Sequence, residues 1–233
     1  MKKIILMCLL ASPVITWAQD TEGTVEVESQ YKPTGGDKTL ELQFEPFGDN
    51  PININGIRAR WFSSQRSAFR LNIFVGVDAD SEITQQSDPD LDLKELKDKD
   101  MTVSINIRPG MEKHLKGTEK LSPYFGWEAD LAYQTSSNRT EFQNNDNVEY
   151  SKVINTNGFA RVGLNAIAGM DFYVSPKLYL GAELGFGASY TRLLSVKLKS
   201  NVDGFQKPDP VKRGGSIDIG PNVNAQIRLG YAF

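Results

Sequence analysis

The chain of 233 residues has one cysteine, one histidine and three tryptophans, and each scarcity removes a class of function. Cys8 falls inside an apolar leader, so the mature protein is expected to have neither disulfides nor thiol chemistry, although it is exported. The preceding residue, Met7, does not suit a lipoprotein acylation site. An excess of basic charge is also missing. Removing Lys2 and Lys3 with the leader leaves 24 Lys+Arg against 29 Asp+Glu, which argues against a nucleic-acid partner. No apolar run is long enough to span a bilayer as a helix. A membrane crossing would therefore have to be a closed barrel, because lipid cannot satisfy an open sheet edge.

The leader reads as a secretory signal peptide over residues 1–18: two lysines, the apolar run Ile4 to Leu10, and Thr16-Trp17-Ala18 as a small-x-small cleavage site. Residues 19–37 are polar and are expected to form a flexible N-terminal arm. From Leu40 onward the chain alternates apolar and polar residues with the period of an extended strand. The clearest case is the end, where Phe233, Tyr231, Leu229, Ile227, Ala225 and Val223 alternate with Ala232, Gly230, Arg228, Gln226 and Asn224. Seven earlier segments repeat the pattern: 40–45, 57–62, 69–77, 101–108, 125–133, 161–174 and 178–190. Eight is the smallest even number that closes a membrane barrel.

Connections alternate in length, short after the second and sixth segments and near twenty residues after the third, fifth and seventh. Such asymmetry is expected of periplasmic turns and extracellular loops. Pro109 is expected to end the fourth strand, and Pro221 to sit towards the loops or at a bulge. The expected fold is all-β, an eight-stranded antiparallel up-and-down transmembrane β-barrel over residues 38–233. A soluble lipocalin-like barrel is the competing arrangement. It is disfavoured by the glycine- and asparagine-rich polar face and by aromatics at strand ends, placed as interfacial girdles.

On these residues the chain resembles the small eight-stranded outer-membrane barrels of the OmpA/OmpX type, the porin-family β-barrel domains. The resemblance implies residence in the bacterial outer membrane, contact with its lipid and lipopolysaccharide, a monomeric state and no cofactor. It also implies that Ile227, Leu229, Tyr231 and Phe233 form the C-terminal signal read by the outer-membrane assembly machinery.

The polar face collects Glu41, Glu45, Glu128, Asp130, Asp171, Glu183 and Asp218 with Arg58, Arg60, Arg70, Arg108, Arg161 and Arg228. Eight strands enclose a space that side chains can fill, and an unpaired charge there is costly. Near balance of sign therefore predicts a structural plug of ion pairs, with a narrow channel for ions or small solutes as the alternative. No enzymatic activity is expected. His114 falls in the connection after the fourth strand and reads as a surface residue without serine and acid partners. Asp88 to Asp92 begins like a calcium loop, but Leu93 and Lys99 stand where glycine and glutamate belong, so no metal site is expected. Asn138-Arg139-Thr140 is a chance match to a glycosylation pattern. The expected role is structural, adhesive or loop-mediated binding.

Overall fold

Period-two alternation is realised as strands along most of the chain. The computed structural model describes residues 30–44, 54–145 and 147–233. The leader, residues 19–29 of the arm, and Glu45 lie outside the described residues. Ten strands follow in order: β1 Lys38–Phe44, β2 Ile54–Ser64, β3 Ser67–Gln85, β4 Leu96–His114, β5 Leu121–Asn144, β6 Asn147–Ile154, β7 Phe159–Ser175, β8 Leu178–Leu193, β9 Lys197–Ser200 and β10 Gly215–Ala232.

Eight of them (β1, β2, β3, β4, β5, β7, β8 and β10) form an antiparallel ring in which each pairs with its neighbours in sequence. The ring closes where β1 meets β10, in a register that sets Leu40 opposite Tyr231 and Leu42 opposite Leu229. Glycine permits two close approaches inside. A Cβ on Gly181 would collide with the Arg228 guanidinium, and one on Gly230 would stand inside the Tyr179 ring.

The two faces are inverted relative to a soluble barrel. Val75 is 66% exposed and Leu184 59%, while Arg58, Arg60, Arg70 and Arg228 are at most 2% exposed. The lipocalin-like arrangement, with apolar residues inside, is thereby excluded. On β4 the outward apolar residues run from Met111 to Met101. Ten steps of about 3.4 Å at a tilt near 40° give a band of roughly 26 Å, the height of a transmembrane barrel's apolar belt. Most of the buried apolar residues, by contrast, gather at the end with the short turns. There Phe62, Ala68, Tyr124, Tyr173, Tyr179 and Ala232 make a floor, with the Tyr173 and Tyr179 rings 5.2 Å apart.

Residues 30–37 cross that floor. The Lys177 amide donates to the Tyr31 carbonyl, Lys32 Nζ to the Lys116 carbonyl at 3.0 Å, and the Gly36 amide to the Phe62 carbonyl. Pro33 is buried, and Asp37 accepts the Thr34 amide at 2.8 Å. This segment touches three separate turns and straps them together.

The structure corrects the expected boundaries in two ways. Two of the three long polar connections are largely strand, and the third contributes only the four residues of β9. β3 and β4 extend over much of the acidic stretch, from Asp78 to Gln85 and from Leu96 to Asp100. The Asn/Ser-rich stretch 136–156 is mostly a β5–β6 hairpin, to which β9 adds a third strand. These extensions lie beyond the apolar belt, so no apolar alternation is required of them. Pro109 does not end its strand either. It lies within β4 opposite Leu71, the β4–β5 ladder skips Arg108 and Pro109, and pairing resumes in the same register at Gly110 opposite Glu128. Pro221 is likewise inside β10, opposite Phe186, just before an irregularity between Asn224 and Arg228.

Candidate functional site

Inward residues from all eight ring strands meet in the lumen, and charge decides how they are arranged. In the half towards the turns the Arg58, Arg60, Arg70 and Arg228 guanidiniums interleave with the carboxylates of Glu41, Glu112, Glu128, Asp171 and Glu183. Arg60 reaches Glu41 at 2.8 Å, Asp171 at 2.8 Å and Glu112 at 3.0 Å. Arg70 reaches Glu183 at 2.7 Å, Glu128 at 2.9 Å and Glu112 at 3.0 Å. Arg58 bonds Glu183 at 3.1 Å, and Arg228 joins Glu41 at 3.1 Å to Asp171 at 3.3 Å. Each buried guanidinium thus has at least two counter-charges, the condition under which burial of an ion is tolerable.

Neutral groups add further bonds. Tyr124 donates to Glu183 at 2.5 Å and Tyr179 to Glu41 at 2.9 Å. Asn72 accepts from Arg58 Nε at 2.5 Å and donates to Glu128 at 3.0 Å. The four arginines are planar forks that bind carboxylates in fixed directions. The network therefore cross-links β1, β2, β3, β4, β5, β7, β8 and β10 through the centre of the ring.

Nine of the thirteen residues expected on the polar face are buried in this lumen: Glu41, Arg58, Arg60, Arg70, Glu128, Asp130, Asp171, Glu183 and Arg228. Asp130 sits one step towards the loops, where it holds Arg161 at 2.9 Å and Arg108 at 3.4 Å, and accepts from Asn106. Arg108 and Arg161 are half-buried there, and Asp218 is exposed across from them. These residues line a cavity of about 530 Å³ in the loop-side half of the barrel, with Asn165 and Ser189. The lumen has two parts: a packed ionic floor and a polar vestibule above it.

His114 is the clearest correction to the sequence reading. It is 3% exposed, packed between Phe62 and Tyr124 at ring distances of 5.3 and 5.2 Å. Its Nδ1 lies 2.9 Å from Ser122 Oγ and its Nε2 lies 3.2 Å from Glu112 Oε2. Serine, histidine and acid are thus in line, as in a hydrolytic triad. Two facts weigh against that chemistry. Ser122 and Glu112 are nearly fully buried in the barrel floor, where a substrate carbonyl has no approach, and Glu112 is already engaged by Arg60 and Arg70. The trio closes the floor.

The sequence reading missed Glu112, Ser122, Tyr124, Tyr173 and Tyr179, and one signal could have found them. All share the inward parity of neighbours assigned to the polar face: Glu112 follows Arg108, Ser122 and Tyr124 precede Glu128, Tyr173 follows Asp171 and Tyr179 precedes Glu183. Stopping strand four at Pro109 hid Glu112 and the inward place of His114. Among the described residues no group of three or more His, Cys, Asp or Glu is placed to hold a metal ion.

Comparison with known proteins gives a family assignment. The family model described as "Putative OmpA-OmpF-like porin family" matches residues 44–207. A comparison with curated proteins found no match. Two crystal structures from Acinetobacter baumannii align with the chain at 11% identity. CarO has a TM-score of 0.37, covering 85% of this chain and 98% of its own. CarO2 has a TM-score of 0.34, covering 87% and 99%.

Proposed function

The chain belongs to the OmpA-OmpF-like porin family of outer-membrane β-barrels, and from that premise we propose that it is a plugged barrel that works through its loop end. The observation carrying this reading is the ionic floor: four arginines and five carboxylates, all at most 3% exposed, across the lumen on its turn side. An ion crossing it would have to displace charge-assisted bonds that hold three or four strands each, in a space that side chains already fill. The turn side faces the periplasm and the loop side the exterior, as short turns and long loops dictate in such barrels. The protein's work is then structural, adhesive or binding, done by the β3–β4 and β5–β6–β9 extensions outside the membrane. No catalytic role is proposed for the buried Ser122–His114–Glu112 trio.

A narrow channel is the second reading, favoured by the polar vestibule beside Arg108, Arg161 and Asp218. Planar-bilayer recording separates the two. The plugged barrel gives no defined single-channel steps, whereas uniform steps from purified wild-type protein would refute it.

A further inference from the structure

We propose that the outer face of the sheet formed by the upper parts of β4 and β5 with β6 and β9 binds the phosphate groups of anionic glycolipid in the outer leaflet; this rests on the reading that the ring sits in the membrane with its loop end outside. The register carries the argument. Lys99 is paired with Arg139, Arg139 with Lys152, and Lys152 with Lys199. Directly opposed residues in antiparallel strands share a face about 5 Å apart, so four cations form one row across four strands.

That face continues the lipid-facing one above the apolar belt. Lys99 is two residues from outward Met101, and Arg139 six residues from outward Tyr133, so each keeps its neighbour's parity. On β4 the row begins one residue pair past Met101, the last residue of the apolar belt. Lys197 lies on the same face in the adjoining row, opposite Ile154.

The opposite face, towards the barrel mouth, carries Asp78, Asp80, Glu82, Asp98 and Asp100, with Asp80 opposite Asp100 and Glu82 opposite Asp98. Charge is therefore sorted by face rather than mixed. A single carboxylate, Glu141, serves the cationic row, 3.0 Å from Arg139 and 3.8 Å from Lys99. Arg139 is further held over the Tyr150 ring at 4.1 Å. Among the described residues Lys152 and Lys199 make no ion pair, and like charges directly opposed are unfavourable. Such an arrangement, just above an apolar belt, is complementary to lipid headgroups bearing several phosphates.

The test uses the full mature protein folded in detergent, titrated with bisphosphorylated lipid A and with its dephosphorylated form. Binding is read by lipid retained on gel filtration and by the rise in melting temperature. Wild type is expected to bind the bisphosphorylated form and to ignore the other. At low salt K152Q/K199Q is expected to bind about 25-fold more weakly, roughly fivefold per lysine near an anionic surface. Without lipid the same variant melts no lower than wild type, because a repulsive pair has gone. The control K207Q/K212Q, which removes equal charge elsewhere, stays within about twofold of wild type.

Equal binding of dephosphorylated lipid A overturns the proposal. So does an equal melting shift from inorganic phosphate alone, or an equal loss in the K207Q/K212Q control. The samples are also run on gels with and without boiling. A folded, heat-shifted band without a lipid effect refutes this site alone, while its absence in wild type refutes the membrane reading beneath it.

Discussion

Replacing Arg70 with methionine tests the ionic floor at one of its two most connected points, Arg60 being the other. Its guanidinium contacts Glu183, Glu128 and Glu112 at 2.7–3.0 Å, and its side chain is fully buried. Glu183 would keep Arg58, and Glu112 would keep Arg60. Glu128 would be left with Asn72 and the more distant Arg108, at 3.6 Å. Five buried carboxylates would then face three arginines. Removing one partner of a buried pair costs about 3–5 kcal/mol, mostly as the penalty of the stranded charge. The expected loss on R70M is therefore about 3–5 kcal/mol in reversible urea unfolding from lipid vesicles, followed by tryptophan fluorescence. The double variant R70M/E128Q should recover about half of that, since the carboxylate with fewest remaining partners becomes neutral. A water-filled lumen makes the opposite prediction, because solvated pairs contribute about 0–1 kcal/mol. A loss below 1 kcal/mol for R70M, with no recovery in the double variant, would sink the plugged lumen.

Three further outcomes follow from the faces of the ring. Leu184, mid-belt and outward, should tolerate arginine poorly: L184R is expected to cost about 2–4 kcal/mol in the same unfolding assay, and a neutral result would place that face in water. H114A should destabilise the barrel by about 1–3 kcal/mol by leaving the buried Ser122 and Glu112 short of a partner, without changing hydrolysis of any ester substrate; a selective loss of hydrolysis with stability intact would make the trio catalytic. F233A should slow assembly in cells, seen as unfolded protein on unboiled gels, while spontaneous refolding into vesicles proceeds at the wild-type rate. Equal slowing in both settings would give Phe233 a purely structural role.

What was legible in the sequence depended on what surrounds each segment. Within the membrane one face meets lipid and the other the polar lumen, so alternation is enforced and eight strands can be read directly, down to the parity of Arg58, Arg60 and Arg70. Above the membrane both faces lie beyond the apolar belt. Asp78 to Gln85 and Ser136 to Asn144 are equally extended, but their side chains need no apolar partner, so they resemble loops. Pro109 misled for a different reason. A missing amide donor ends a strand only where the ladder needs it, and here the β4–β5 ladder skips that position.

The sequence by itself therefore determined the number of membrane-crossing strands, the face of the residues within the alternating segments and the presence of near-balanced charge inside. Those properties are local, set by a two-residue period against two different surroundings. Only the tertiary structure decided which charges meet. Arg58 and Glu183 lie 125 residues apart and bond only because the ring closes. The burial of His114 depends on the same closure, which brings Phe62 and Tyr124 against it and seals it inside. The cation row likewise depends on β9 returning to pair with β6, a register that no periodicity in its own four residues could have announced.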